Sequence, residues 1–168
     1  MFALVSAVTS PCIAHLSPHA VFGAAQVAIA RRDWAGFFGC FEPRDLRRFA
    51  ATALAAYARE MDTDDPWLAA HCLAHGASLN LLGGLGGGAV RAALERLEDP
   101  AAFVAPLVAR LQSAGRRCPV STTLFLGETL EGLVLEGATA CATRTLRGTS
   151  HGVVKFVRGT DGWRLRLF

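Results

Sequence analysis

The sequence predicts an α+β domain in which N-terminal helices pack on an antiparallel sheet built from a C-terminal five-strand meander. Three observations predict it. Apolar residues recur at helical spacing through residues 1–115. Four prolines there suit a first helical position, in Ser17-Pro18, Glu42-Pro43, Asp65-Pro66 and Asp99-Pro100, and in three of them a good N-cap residue precedes: Ser17, Asp65 and Asp99. Beyond Pro119 the apolar period becomes an alternation, broken by glycine-bearing turns.

The first helix is expected from Pro18 to Arg31, with Val21, Phe22, Ala25 and Ile29 on one face. Asp33 is placed to cap a short second helix carrying Trp34, Phe37, Phe38 and Phe41. After Pro43, the residues Leu46, Phe49, Ala50, Ala53, Leu54, Tyr57 and Met61 keep helical spacing, with Ala and Arg between them. A shorter helix is expected over Pro66–His75, ending at Gly76. A fifth covers about Ala89–Leu97, and a sixth runs from Pro100 to Gly115 through Phe103, Leu107 and Leu111.

Five strands are expected after that: Val120–Leu126, Leu130–Leu135, Ala138–Arg147, Gly152–Arg158 and Gly162–Phe168. Turn chemistry separates them at Gly127-Glu128, Glu136-Gly137, Arg147–Ser150 and Gly159–Gly162. Loops this short make neighbours antiparallel, because a parallel pair needs a long crossover. The chain reads as one domain over 1–168, helical to 115 and a meander thereafter.

Composition narrows the class. Of 168 residues, 52% are hydrophobic and 18% charged, and the net charge is +3. That balance is too apolar for disorder and too weakly charged for an obvious polyanion binder. Five scattered cysteines (Cys12, Cys40, Cys72, Cys118 and Cys141) form no CxxC pair, which argues against a disulfide framework and a thiolate zinc site. A cytoplasmic location is the simplest expectation. The first thirty residues carry no Asp, Glu, Lys or Arg, yet they lack a basic start and are interrupted by Pro11 and Pro18. The uncharged run from Pro66 to Val90 holds two histidines, Asn80 and six residues, Gly83 to Gly88, that are nearly all glycine. Neither run is read as a membrane span.

The order of elements resembles the nuclear-transport-factor-like superfamily, which includes SnoaL-like cyclases and ketosteroid isomerases. Two stretches carry the likeness. Ser17 to Phe41 runs a capped helix into RRDWAGFFGCF, and Ala138 to Phe168 sets a long strand before GVVKFVRGTDGWRLRLF, with Trp163 after the turn. The resemblance implies a curved sheet forming a cone with a pocket, and homodimers through the sheet. The superfamily shares no catalytic residues, so it implies no active site. Where that family places a hairpin or strand, this chain is expected to be helical between Asp65 and Gly115.

His71-Cys72-Leu73-Ala74-His75 is the stretch richest in chemistry. Histidines at i and i+4 project from one helix face about one turn apart, a spacing that suits a shared metal ion. Trp67 lies on that face, with Leu68 and Cys72 adjacent. A metal would need a third ligand such as Glu131, Glu136 or His151, and the HExxH pattern is absent. Two half-buried histidines beside an apolar stripe is the plainer reading, so no metal and no cofactor is assigned. Trp67, His71, Cys72 and His75 then form a candidate ligand pocket. His71, His75, Tyr57 and Glu131 are the candidate acid–base groups, since imidazole titrates near neutrality and a buried Glu131 would have a raised pKa.

Gly83–Gly88 lacks the GK[ST] ending of a phosphate loop and is read as a flexible connection. The meander half carries +4 and the helical half −1. Alternation puts Trp163, Leu165 and Leu167 on one face of the last strand and Arg164, Arg166 and Phe168 on the other. This cationic face is read as solvated, with no nucleic-acid partner. The expectation is a non-catalytic binding or dimerisation module holding an apolar small molecule or a protein partner. The rival is a small isomerase, cyclase or hydratase acting on an apolar carbonyl compound.

Overall fold

Six helices precede a four-stranded sheet in the computed structural model, which describes residues 16–61, 65–77 and 88–168. The helices are α1 (Pro18–Ala30), α2 (Trp34–Gly39), α3 (Pro43–Glu60), α4 (Pro66–Ala74), α5 (Gly88–Glu95) and α6 (Pro100–Ser113). Their starts follow cap chemistry. Ser17 Oγ accepts from Ala20 N at 3.1 Å, and Asp33 Oδ1 accepts from Gly36 N at 2.9 Å. Asp65 and Asp99 do the same for Trp67 N and Ala102 N. Glu42 makes no such side-chain bond, so α3 begins on Pro43 alone. The residues Cys12 and Gly83–Gly87, and the first half of the uncharged N-terminal run, lie outside the described residues.

The sheet is an antiparallel meander in the order β1-β2-β3-β4. Its strands are β1 (Thr129–Glu136), β2 (Thr139–Leu146), β3 (Thr149–Gly159) and β4 (Gly162–Leu165). The expected first strand, Val120–Leu126, is not one. Residues 122–127 are a run of turns. Ser121 O accepts from Leu124 N, Thr123 O from Leu126 N, and Phe125 O from Glu128 N. Ser121 Oγ also accepts from Thr123 N, so local bonds win over a ladder. Phe125 has φ 68° and is buried all the same. Its ring centroid lies 5.0 Å from Phe22 and 6.3 Å from Phe37, and Gln26 Nε2 donates to its carbonyl at 2.8 Å. Aromatic packing holds a backbone conformation that a phenylalanine rarely adopts.

One core joins helices and sheet. Trp34, Phe37, Phe38 and Phe41 pack with Phe22 and Phe125 and continue into Ala140, Ala142, Val154, Phe156, Trp163 and Leu165. The register fits this: Ala140 faces Phe156, Ala142 faces Val154, and Phe156 faces Leu165. The chain between α2 and α3 closes the edge beside β4. Leu165 N donates to Cys40 O at 2.8 Å, and Glu42 N donates to Leu165 O at 2.9 Å. The other edge, β1, is exposed along most of its length and irregular between Glu131 and Val134, where Gly132 has φ 62°.

The last residues do not alternate freely. Asp45, in the first turn of α3, is fully buried and accepts from Arg166 Nε at 2.7 Å and Nη2 at 3.2 Å. It also accepts from Leu167 N at 3.0 Å. Arg164 donates to Gly39 O. Both arginines expected on an outer cationic face are therefore drawn to the α2–α3 corner, because a buried carboxylate and an open carbonyl wait there. Asp45→Ala leaves Arg166 and the Leu167 N–H without their acceptor, so a loss of about 3 kcal/mol in unfolding free energy is expected. Urea titration reads it directly, and a loss below about 0.5 kcal/mol, the range of an inert surface change, would show that the contact adds nothing.

Candidate functional site

Four of the sequence-derived site residues meet where α4 is gripped between α3 and α6. Trp67, His71 and His75 follow at steps of four and share one face of α4 and its C-terminal cap. The rings of Trp67 and His71 stack at 4.7 Å with 9° between planes. His71 stacks on its other side against Phe103 of α6 at 5.1 Å and lies 4.8 Å from His75. His71 Nε2 is 2.9 Å from Phe103 O, so it is the protonated nitrogen of the neutral ring and donates there. At the other end, Arg110 of α6 lays its guanidinium 4.3 Å above the Trp67 ring.

Tyr57 of α3 completes the group. It is fully buried, and its hydroxyl donates to Asp65 Oδ2 at 2.7 Å while accepting from Arg110 Nε at 3.0 Å. Asp65 thus caps α4 through one oxygen and holds Tyr57 and Arg110 through the other. The Tyr57 hydroxyl holds the Asp65 carboxyl below its usual range. Burial, and then Asp65, raise the Tyr57 pKa. Burial lowers His71, with His75 adding to the effect, and burial lowers His75.

Cys72 belongs to the same helix but not to this face. It is buried beside Leu68 in the core, and burial pushes its thiol up to about 11, which leaves it a poor nucleophile. Glu131 is elsewhere entirely. It is exposed on β1 and accepts from Thr145 Oγ1 at 2.9 Å. His151 pairs with Glu128 at 3.1 Å, and Glu128 with Arg144 at 3.2 Å. These sheet residues supply no third ligand to His71 and His75, and among the described residues no three metal-binding side chains gather.

Sequence reasoning missed Asp65 as a bridging acid, Arg110 and Phe103. Asp65 had already been explained as a cap, and the two α6 residues sit seven apart on a helix read only for its apolar stripe. No family model, curated protein or solved structure matches this chain.

Chemically, the arrangement is a lock. Both faces of the His71 ring are covered, its Nε2 is bonded, and the Tyr57 hydroxyl is engaged as donor and acceptor. The Tyr57 hydroxyl and His71 Nε2, two groups able to move a proton, instead tie α4 to its neighbours. Because the folded histidines bind protons less readily than the ordinary imidazole value of 6.5, the unfolded chain takes up more protons below that pH. Stability is therefore complete above that value and falls as pH drops through it. His71→Gln keeps a donor for Phe103 O but cannot titrate, so its stability should fall less steeply. Urea midpoints between about pH 7.5 and about pH 5 decide it; parallel profiles would mean His71 is not held neutral. Tyr57→Phe should cost about 1–2 kcal/mol, through the two lost hydrogen bonds, in the same assay.

Proposed function

We propose that the protein is a non-catalytic dimerisation module that self-associates through the outer face of its sheet. One observation carries this reading. Val134 and Val153, 49% and 62% exposed, stand on the face turned away from the helical core. The pairings Val134–Cys141–Lys155 and Glu131–Thr143–Val153 place these residues in two rows on that face. Lone exposed valines are ordinary, but two in adjoining rows of an uncovered sheet suit a partner surface. Leu135, 60% exposed on the opposite face beyond the reach of the helices, enlarges the apolar edge.

The same face favours a second copy. Its exposed acids, Glu131 and Glu136, are on β1 and the base Lys155 is on β3. A two-fold axis along β2 lays β1 of one copy over β3 of the other, so each acid meets the strand that carries the base. Four strands about 4.8 Å apart, two of about 26 Å, one of about 36 Å and one of about 13 Å, offer on the order of 500 Å² per copy. That is at the low end for a specific interface and suits a reversible, micromolar dimer. The resemblance to nuclear-transport-factor-like proteins is part of this proposal, supported by the helices-then-meander order.

The rival enzyme reading draws support from the proximity of Tyr57, His71 and His75, of which the Tyr57 hydroxyl and His71 Nε2 are already committed. Sedimentation equilibrium tests the proposal. The wild-type chain should dimerise, and Val153→Glu, which places two like charges in the contact, should weaken the dimer roughly tenfold or more. A monomer at every concentration, or a dimer indifferent to Val153→Glu, would overturn it.

A further inference from the structure

A second surface lies on the far side of α3. Arg44, Arg48, Thr52, Ala55 and Arg59 recur at helical spacing and are all exposed, with Ala51 beside them. At 100° per residue they form one stripe, about 22 Å long from Arg44 to Arg59. Its middle is a groove of about 380 Å³ floored by Ala51, Thr52, Ala55 and Ala56, with Arg59 at one end and Pro119 on the opposite wall. Arg116 and Arg117 precede that proline and are exposed. Among the described residues Arg44, Arg48, Arg116 and Arg117 make no ion pair, and Arg59 reaches only its neighbour Glu60 at 3.4 Å.

We infer that this groove docks an acidic amphipathic helix of a partner protein. The floor is made of methyl groups and one hydroxyl, which suits small or aliphatic side chains and offers a phosphate chain a single donor. The groove is open, so a small molecule would not bury the 70–90% of its surface that ligand pockets usually cover. A helix lying along the stripe puts apolar side chains against the alanines and spans the four turns between Arg44 and Arg59. Acids at its two ends would meet Arg44 and Arg48 at one and Arg59 at the other, and guanidinium groups pair with carboxylates in bidentate fashion. Among the described residues Arg44 and Arg48 have no acid to lose, and Arg59 would exchange only its contact with Glu60. The surface is distinct from the sheet face and does not depend on dimerisation.

The test uses the full chain and a fluorescent 20-residue helical peptide with glutamates at both ends of one face and Ala and Leu between them. Fluorescence anisotropy should show saturable binding that weakens with added salt. Arg59→Glu and, separately, the groove-filling Ala55→Phe should each weaken it roughly tenfold, since one reverses the charge and the other occupies the floor. Circular dichroism of each variant checks that α3 is intact, and both positions are exposed enough to tolerate change. A lysine-for-glutamate peptide should not bind. Three results would overturn the inference: no binding at high micromolar peptide, binding unchanged in both variants, or displacement by a single-stranded oligonucleotide that is itself insensitive to Ala55→Phe. The last would make the face a general polyanion surface. Loss of self-association in Arg59→Glu would likewise overturn it, by making the occupant a second copy.

Discussion

The contact between Asp45 and Arg166 is the constraint on which the arrangement of layers depends. A carboxylate in the first turn of a helix is usually a solvated partner for the helix dipole. Here it is fully buried and therefore needs every acceptor lone pair answered. Arg166 answers with two donors and Leu167 with its backbone N–H, which fixes the chain just after β4 against the start of α3. The pair in turn raises the Arg166 pKa, so nothing in ordinary solution removes its charge. Once that end is fixed, Cys40 and Glu42 fall into hydrogen-bonding distance of Leu165, and the edge beside β4 is closed. The other edge has no such device and stays open. That asymmetry is what makes one end of the sheet a core wall and the other a surface.

How much was legible depended on how local the determining interaction was. Helix starts were legible because a cap is read within three residues, as Ser17 with Ala20 and Asp99 with Ala102 illustrate. The meander was legible because its turns carry glycines between alternating runs. Val120–Leu126 was misread because alternation there is produced by side chains serving a different end. Val120 and Phe125 are buried, but the serine and threonine hydroxyls between them favour turns, and Phe125 reaches its place only with a positive φ. Nothing local distinguishes that from a short strand, since the aromatic rings that hold Phe125 come from α1 and α2.

The candidate site divides along the same line. Trp67, His71 and His75 were placed together correctly because the spacing of four is a property of one helix. Tyr57 belongs with them through Asp65 and Arg110, and neither link is visible without knowing that α3, α4 and α6 meet. Glu131 failed for a geometric reason: the irregularity at Gly132 shifts the register of β1, so alternation counted from either end of the strand gives opposite answers. Cys72 failed for a chemical one, since a thiol raised by burial is packing rather than reagent.

These placements bear on what kind of protein this is. A catalytic group must keep one polar atom free for substrate, while a structural one is satisfied by the protein itself. Tyr57 and Asp65 have their oxygens taken, His71 is covered on both ring faces with Nε2 bonded, and Glu128 is shared between Arg144 and His151. The unpaired arginines beside α3 and the open apolar face of the sheet are the opposite case: surface chemistry that the fold does not use. An open apolar face reduces solubility when it serves nothing, and an open β edge invites pairing with other chains. Engaged polar groups between α3, α4 and α6 and open chemistry outside are what the proposal of a contact-making module rests on.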